Sequence, residues 1–344
     1  MSLDCFRHLV HILPQQAAVL ATVIATTGSV PREVGAKMFV EADGRIVGTV
    51  GGGAGEAKVI QQAQAVLAQG VKQRVTVDLS GNMATQRPTE GICGGTMQVW
   101  LERWSGTGAI ALLHTLLHTL DSGQSITLVT PLALDQAPYL LPADAPYPPH
   151  AFVETLYPPP VLLIIGAGHC GEQLATVAHQ IGFQVMVQDD RPEWANPQRY
   201  PQAAHIWHQP IAALVGEGAI ALAHHTQLYV ALVTRGYPYD LDALQALLTR
   251  STPCRYIGMI GSKKRVNQVF HTLQASGVAA ETLTQIYAPI GLDIGALTPA
   301  EIAVSIAAEL ILVRRGGSGR SLNASSPNGS SLIENRPAAP NPTD

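Results

Sequence analysis

The sequence lacks the features that mark several large classes of protein. Its 344 residues include four widely spaced cysteines and no C-x-x-C pair, which argues against a zinc ribbon and a disulfide framework. Aromatic residues make up 5% of the chain, and no apolar run reaches the roughly 18 residues that span a membrane. There is no long basic run, and the net charge is −4. We therefore expect neither nucleic acid nor a membrane as a main partner.

The chain does have enough apolar residues to build a large core. It is 47% hydrophobic and 13% charged, which is typical of a folded protein, and its length suggests two domains. The N-terminus, MSLDCFRHLVHILPQQ, carries an acid and lacks an apolar run followed by a cleavage site. We accordingly expect no signal peptide and a cytoplasmic location.

Residues 1–144 predict a domain that mixes helices and strands. AAVLATVIAT (17–26) is typical of a buried strand, and the Asp43-Gly44 turn between apolar runs predicts a hairpin. The second hairpin strand continues into Gly51-Gly52-Gly53, after which EAKVIQQAQAVLAQG predicts a helix that ends at Gly70.

Six prolines between Pro146 and Pro160 indicate a linker over residues 145–160. Beyond it, residues 161–316 alternate between strand and helix patterns, which is typical of a doubly wound parallel sheet. The remainder, residues 317–344, is rich in serine and proline, and we expect it to be disordered.

The clearest binding motif is IIGAGHCGE (164–172), a G-x-G-x-x-G between a predicted strand and a predicted helix. In this motif Gly166 permits a tight turn, Gly168 lets a pyrophosphate approach the backbone, and Gly171 lets the helix pack on the strand. His169 lies inside the loop, where it would either touch a ligand or be a bystander. The pattern predicts nucleotide binding, although such a fold can also serve as a scaffold alone.

Two further signals lie near the predicted ends of neighbouring strands. Asp189 and Asp190 follow the next strand at close to the roughly 20-residue spacing at which an acid binds the ribose. GMIGSKKR (258–265) is another strand-to-helix turn, in which Lys263, Lys264 and Arg265 would begin a helix and oppose its dipole. A bound anion could compensate these cations, and a solvated basic turn is the alternative.

Two glycine stretches in the N-terminal half could also serve a ligand. Gly51, Gly52 and Gly53 combine bare backbone with a helix N-terminus, which can hold an anion, but Glu56 in the first turn would compete with a phosphate. Close packing alone is the alternative. Cys93 precedes Gly94-Gly95, and a thiol beside free N–H groups can have a lowered pKa and act as a ligand or sulfur carrier. A buried cysteine of purely structural role is the alternative.

Taken together, these stretches resemble one family, the XdhC/CoxI proteins, which are accessory factors of molybdenum hydroxylases such as xanthine dehydrogenase. The resemblance runs from about residue 17 to residue 316. It is carried by GSVPR (28–32), GTVGGGAGE (48–56), CGG (93–95), GAGH (166–169), DDRPE (189–193), TRG (234–236), YIGMIGSKK (256–264) and APIGLDIGALTPAEIA (288–303).

The resemblance implies an α/β protein with an N-terminal mixed α+β domain and a C-terminal Rossmann-like domain. It also implies a chaperone that binds the molybdopterin form of the molybdenum cofactor while a cysteine desulfurase installs the sulfido ligand, and then delivers it to an apo molybdenum hydroxylase. Such a factor has no turnover of its own. The implied cofactor-binding residues are Gly51, Gly52, Gly53, Cys93, Gly94, Gly95, Gly166, Gly168, His169, Gly171, Asp189, Asp190, Ser262 and Lys263, with Cys93 as the candidate metal ligand.

The chain departs from the family pattern at two positions. Many members have cysteine where this chain has Ala54, which leaves Cys93 as the candidate thiol, and members often have histidine in place of Tyr237. The rival hypothesis is an NAD(P)-dependent oxidoreductase that uses the Rossmann half, with Arg235 and Asp240 as the nearest candidates for its proton donor. The apolar helix predicted at 299–315 would need a cover, which suggests a homodimer.

Overall fold

The structure, a computed structural model, describes residues 2–79, 94–142, 144–215 and 222–321. It divides into two compact units, Met1–Pro158 and Pro159–Asp344. Cys93 and residues 322–344 of the tail that we expect to be disordered lie outside the described residues.

The N-terminal unit contains two antiparallel sheets. The larger has the strand order β3-β2-β1-β5-β4, and the smaller has the order β7-β6-β8. The elements are α1 (Ser2–Ile12), β1 (Ala18–Thr27), β2 (Lys37–Val40), β3 (Ile46–Gly48), α2 (Gly53–Gln69), β4 (Gln73–Asp78), β5 (Thr96–Trp104), α3 (Gly106–Asp121), β6 (Ile126–Pro131), β7 (Tyr139–Leu141) and β8 (Ala151–Leu156).

The central strand β1 shows why the larger sheet has helices on both faces. Side chains of a strand point alternately to its two faces, so successive residues of β1 belong in turn to two different cores. Val19 and Ala21 pack with the apolar side of α2, which includes Val59. Ala18 and Leu20 pack with residues of α1 and α3.

The Pro-rich segment that we expected to be a linker contains a strand. Residues 151–156 form β8, which pairs with β6 from Ile126↔Leu156 to Pro131↔Ala151. The prolines lie on either side of β8, where the loss of a backbone donor breaks no ladder bond. The division between the two units falls after Pro158.

The C-terminal unit is built on a five-stranded, all-parallel sheet in the order β11-β10-β9-β12-β13, so the doubly wound fold is confirmed. The strand order reverses at β9, which places a topological switch point between β9 and β12. The elements are β9 (Val161–Ile165), α4 (His169–Gln180), β10 (Gln184–Gln188), β11 (Ala203–Trp207), α5 (Ile211–Val215), β12 (Leu228–Leu232), α6 (Tyr237–Leu248), β13 (Tyr256–Met259), α7 (Lys263–Ala275), α8 (Ala280–Leu283) and α9 (Pro299–Arg315).

Strand β9 is buried on both faces, as its continuous apolar sequence predicts. Leu163 packs toward the core that includes residues of α5, α6 and α7. Leu162 and Ile164 pack toward the core that includes residues of α4 and α9.

Helix α9 begins with the capping box that its sequence predicts, between Thr298 and Glu301. Its Ala303, Ile306 and Leu310 are buried within the same unit, in the core that contains residues of α4. Much of its apolar surface is therefore covered without a second chain, and the homodimer stays a prediction.

A buried ion pair connects the two sheets of the N-terminal unit. The Nζ of Lys37 on β2 lies 2.5 Å from Oε1 of Glu154 on β8, and the side chains are 0% and 13% exposed. Lys37 also donates to the carbonyl oxygen of Gly35 at 3.3 Å. Because both charges are withdrawn from water, each depends on the other.

Lys37→Met should therefore lower the free energy of unfolding by about 3 kcal/mol, since it leaves the Glu154 carboxylate buried without its partner. The double variant Lys37→Met/Glu154→Leu should recover most of that loss, because no unpaired charge remains. Urea denaturation of the full chain measures both. Equal losses in the single and double variants would show that the unpaired Glu154 carboxylate is not the cause of the loss.

Candidate functional site

The glycine loop between β9 and α4 has the local geometry that the motif predicts. A Cβ atom on Gly166, whose φ is +109°, would lie 2.6 Å from the carbonyl oxygen of Val233. A Cβ on Gly171 would lie 2.4 Å from the carbonyl oxygen of Gly166. Both positions therefore require glycine, the first for a turn beneath β12 and the second for packing of the helix on the loop.

Gly168 differs from its two neighbours in the motif. A Cβ on it would meet no atom within 4 Å, and its φ of −76° is open to any residue. It is the N-cap of α4, and no side chain in the described parts of the chain caps that helix end. The first-turn N–H groups thus remain available to an anion.

His169 begins α4 beside this open backbone. Its side chain is exposed, and its ring lies edge-on to Trp194 with the centroids 5.5 Å apart. The structure places His169 at the loop, and its contact with a ligand stays a prediction.

Asp189 follows β10 at the position where the motif predicts a ribose-binding acid, but its oxygens are already engaged. Oδ2 accepts from the Ala167 N–H and from Arg191 Nη2, both at 2.8 Å. Oδ1 accepts from the Arg191 N–H at 3.1 Å and from its Nε at 2.8 Å. Burial alone would raise the pKa of Asp189, but the hydrogen bonds from Arg191 and Ala167 outweigh it and lower the pKa to about 2. Asp189 thus holds the glycine loop in position through its hydrogen bond with the Ala167 N–H.

Asp190 is more accessible than Asp189, with a side chain that is 50% exposed. Its two oxygens accept from Arg235 Nη1 and Nη2 at 2.8 and 2.9 Å. The Arg235 guanidinium lies 4.0 Å from the centroid of the Tyr239 ring. These side chains border a cavity of about 220 Å³ whose lining also includes Gly166.

Asp240, one of the two candidate proton donors, lies outside that cavity lining. It is completely buried, accepts from the Thr234 hydroxyl at 2.6 Å and accepts from Arg265 Nε at 2.6 Å. Burial raises the pKa of Asp240, against the opposing effect of Thr234 and Arg265. Through these hydrogen bonds Asp240, in the first turn of α6, connects the residues that follow β12 with the start of α7. The role of Asp240 is therefore structural.

The basic turn at α7 is capped by its own sequence. The Ser262 Oγ accepts from the Arg265 N–H at 3.3 Å, while Lys263 is exposed at the first helical position. The hydroxyl therefore already has a structural task. Ligand binding by Ser262 and Lys263 stays a prediction.

In the N-terminal unit, three glycine-containing stretches that are distant in sequence lie against one another. A Cβ on Gly51 would lie 2.6 Å from Cγ of Pro31. A Cβ on Gly95 would lie 2.4 Å from the carbonyl oxygen of Ser29, and one on Gly28 would lie 3.0 Å from that of Gly94. The stretches 28–32, 48–53 and 94–95 thus pack together in one cluster, which we call the glycine junction.

The triple glycine holds a carboxylate that belongs to the chain itself. Glu56 Oε2 accepts from the N–H groups of Val50 at 3.0 Å and Gly52 at 3.2 Å, and from the Thr49 hydroxyl. Burial alone would raise the Glu56 pKa, but these hydrogen bonds outweigh it and lower the pKa. The N–H groups of Val50 and Gly52 are therefore already bonded within the chain, and ligand binding by Gly51, Gly52 and Gly53 stays a prediction. Ala54, in the same turn, is exposed.

A cavity of about 440 Å³ lies beside the glycine junction, lined by residues 30–37 together with Thr49 and Glu154. The buried pair of Lys37 and Glu154 therefore lines the same cavity as residues 30–32 of the G-S-x-P-R loop. Sequence reasoning missed both residues, because they are far apart in the chain and neither belongs to a recognisable motif.

Within the described ranges, no group of three or more His, Cys, Asp and Glu side chains could hold a metal ion. The same part of the chain has no helix that is long and apolar enough to cross a membrane.

The fold and its glycine stretches define a class of protein with two domains. One is a Rossmann domain with an open glycine loop, and the other is an antiparallel domain with the glycine junction. Residues 162–310 match the XdhC Rossmann domain, and residues 12–78 match the XdhC and CoxI family. The chain belongs to the XdhC and CoxI family.

Three curated relatives extend the similarity over most of the chain. A probable xanthine dehydrogenase subunit of Bacillus subtilis is 28% identical over 327 residues, covering 88% of this chain and 94% of the relative. The molybdenum cofactor insertion chaperone PaoD of Escherichia coli is 24% identical over 306 residues, covering 88% of this chain and 85% of PaoD. The uncharacterized protein YqeB of Escherichia coli is 28% identical over 318 residues, covering 91% of this chain, which spans only 47% of YqeB.

A solved structure supports the fold along the whole length. The crystal structure described as a xanthine dehydrogenase from Bacillus halodurans has a TM-score of 0.71 and 28% identity, and the match covers 96% of this chain and 99% of that one.

The carboxylate in the triple-glycine turn should make stability depend on pH. Because the Glu56 pKa is lowered in the folded protein, its stabilisation is fully present above the ordinary value of 4.5 and is lost as the pH falls through the folded value. Glu56→Gln should therefore be less stable than the wild type at pH 7, and the difference should shrink below about pH 4.5. Thermal melts at pH 7, 5 and 3.5 measure it, and a difference that does not vary with pH would exclude a role for the charge.

Proposed function

We propose that this protein is a maturation factor that binds the molybdenum cofactor, supports its sulfuration and promotes its insertion into a molybdenum hydroxylase of the xanthine dehydrogenase type. The observation that carries the proposal is the similarity to a molybdenum cofactor insertion chaperone over 88% of the chain. The relative named as part of a probable xanthine dehydrogenase supports the class of client enzyme.

The cofactor is cargo in this proposal, and its anionic phosphate fits the Rossmann unit better than the triple glycine. Helix α4 begins at Gly168 with no side-chain cap in the described chain and with open space at the Cβ position. Within the same described residues, the start of α2 is also without a side-chain cap, but the Glu56 carboxylate lies against it and would repel a phosphate, whereas Glu172 in the first turn of α4 is paired with Arg199. The phosphate would therefore bind at Gly168, where the helix dipole and free N–H groups favour negative charge.

Sulfur chemistry is assigned in the proposal to Cys93, which directly precedes Gly94 in the sequence. Gly94 and Gly95, which directly follow it, lie against the residues of the G-S-x-P-R loop. The Cys93 thiol could hold the molybdenum or accept sulfur from a cysteine desulfurase. The partners are then that desulfurase and the apo-hydroxylase, and the exposed Val304 and Ile311 of α9 provide apolar surface for a homodimer.

The oxidoreductase alternative loses support at the switch point. Asp240 is buried and saturated by Thr234 and Arg265, and Arg235 is committed to Asp190. Asp240 lies outside the cavity lining, and Arg235 lines the cavity as a guanidinium whose pKa is raised by its hydrogen bonds to Asp190, so neither residue is a suitable proton donor. An accessory role without turnover is the function that the site supports best.

Gly168→Glu should weaken binding of the molybdenum cofactor at least ~10-fold, because it puts a negative charge where the phosphate would bind. The backbone at residue 168 accepts any side chain, so the variant should fold normally. Equilibrium titration of the purified full chain with isolated cofactor measures the effect.

Gly108→Glu is the matched control for that experiment. It adds the same charge in the first turn of α3, at another glycine whose Cβ would meet nothing within 4 Å. Similar affinities for the wild type and both variants would remove the α4 end from the proposal. Failure of the wild type to bind the cofactor would reject the proposed function itself.

Cys93→Ala should lower transfer of sulfur to the cofactor by ~10-fold or more while the fold survives, because the thiolate is the reacting form of cysteine and alanine cannot replace it. The measurement is activation of an apo-hydroxylase by wild-type and variant protein in the presence of a cysteine desulfurase. Cys254→Ala, which removes a half-buried thiol of the other unit, is the control. Unchanged activation by Cys93→Ala would exclude the thiol from the reaction.

A further inference from the structure

We propose that the cavity beside the glycine junction binds a free α-amino acid with an apolar side chain. Arg32 pairs with the carboxylate of this ligand, and Glu154 accepts a hydrogen bond from its ammonium group. The ligand is distinct from the molybdenum cofactor, so the inference goes beyond the proposed function and does not depend on it. Four features of the described residues carry it: an arginine without a partner, a carboxylate oxygen without a donor, the balance of charge in the lining and an exposed apolar wall.

Arg32 supplies a cation that the protein itself leaves unused. It is half-buried and lines the cavity of about 440 Å³. In the described parts of the chain, its guanidinium makes no hydrogen bond or ion pair, whereas that of Arg45 in the same unit pairs with Asp43. A guanidinium presents a planar fork of N–H donors that matches the two oxygens of a carboxylate. Arg32 is therefore available to an anionic group that enters the cavity.

Glu154 on β8 supplies an acceptor in the lining of the same cavity. Its Oε1 accepts from Nζ of Lys37 at 2.5 Å, but within the described ranges no donor reaches its Oε2. That second oxygen lies next to the loop that lines the cavity, since a Cβ atom on Gly35 would be 3.5 Å from it. The ammonium group of a ligand can thus form a charge-assisted hydrogen bond with Oε2.

The charges in the cavity lining balance one another. Two are positive, on Arg32 and Lys37, and two are negative, on Glu33 and Glu154. A ligand with a net charge would leave an excess of one sign in a partly enclosed space, where water screens charges less than on an open surface. A zwitterion adds one charge of each sign, whereas a dianionic phosphate would share the cavity with two carboxylates. The lining therefore favours an amino acid over a phosphate.

The rest of the lining suits an apolar side chain on the ligand. Val30, Pro31 and Val34 belong to the cavity wall, and Val34 is 45% exposed. A ligand side chain that covers this surface removes apolar area from water, which favours binding. The cavity volume lies within the roughly 300–1,000 Å³ that is typical of sites for small molecules.

Backbone hydrogen bonds already hold the loop that lines the cavity. The Gly35 N–H donates to the carbonyl oxygen of Val23 at 2.8 Å, and the Val23 N–H donates to that of Ala36 at 2.9 Å. The Ala36 N–H donates to the carbonyl oxygen of Glu33 at 3.2 Å. A wall that is ordered before the ligand arrives loses little conformational entropy on binding.

The test is isothermal titration of the purified full chain with L-alanine, L-valine, L-leucine and L-methionine. At least one of them should bind with a dissociation constant below about 1 mM. For the tightest binder, the 2-hydroxy acid replaces the ammonium group and the amide replaces the carboxylate. Each analogue should bind at least ~10-fold more weakly, because it loses one charge-assisted hydrogen bond.

Arg32→Gln should weaken binding of the same amino acid at least ~10-fold, whereas Arg103→Gln should leave it unchanged. Arg103 is the matched control, since it is an exposed arginine on β5 of the same unit, lies outside the cavity lining and has no ion pair among the described residues. Arg32→Gln removes no bond of the described chain, so its thermal melting should match that of the wild type.

Absence of binding by all four amino acids, equal affinity for either analogue, or unchanged affinity in Arg32→Gln overturns the inference. Inorganic phosphate that binds through Arg32 more tightly than the amino acid would also overturn it, because the site would then select an anion alone. None of these results bears on the maturation role, which the titration of Gly168→Glu with molybdenum cofactor tests separately.

Discussion

The Rossmann site depends on one close approach between backbone segments. The carbonyl oxygen of Val233 leaves no room for a side chain at residue 166, so the loop after β9 passes directly beneath the end of β12. Backbone hydrogen bonds of 2.8 Å from Gly166 N to Gln188 O and from Val233 N to Ile165 O fix the arrangement. The cavity and the start of α4 take their positions from this contact. A side chain at residue 166 would disturb both.

The two glycine-rich helix starts show how similar backbone can serve different ends. At α2, the Glu56 carboxylate returns to the turn and accepts from the N–H groups of Val50 and Gly52, which precede the first helical residue, Gly53. At α4, the nearby Asp189 accepts from Ala167, one residue before the N-cap, and leaves the helix end open. Both helices have an acid in the first turn, but that of α2, Glu56, lies against the turn that precedes the helix, whereas that of α4, Glu172, is paired with Arg199. An external anion would therefore meet an internal carboxylate at α2 more directly than at α4.

Local signals in the sequence predicted the local features of the structure. The roles of Gly166 and Gly171, the parallel sheet and the Thr298 capping box all follow from patterns within a few residues. Features that depend on distant contacts could not be predicted in this way. The saturation of Asp189 requires the rotamer of Arg191, and the glycine junction requires the pairing of strands that are separated by other elements. Strand β8 was not predicted because its six residues, AFVETL, lie between two groups of prolines and do not alternate between apolar and polar.

The charges at the switch point argue for holding a ligand rather than reacting with it. Arg191, Asp189, Arg235 and Asp190 form a chain of opposite charges, and the pKa of Asp189 is lowered to about 2. A general acid or base works best when its pKa lies near the working pH. A carboxylate that stays ionised and two guanidinium groups that stay protonated are poor proton donors and acceptors, but they fix hydrogen-bonding groups in place. Such preorganisation favours the binding of a ligand over the transfer of a proton.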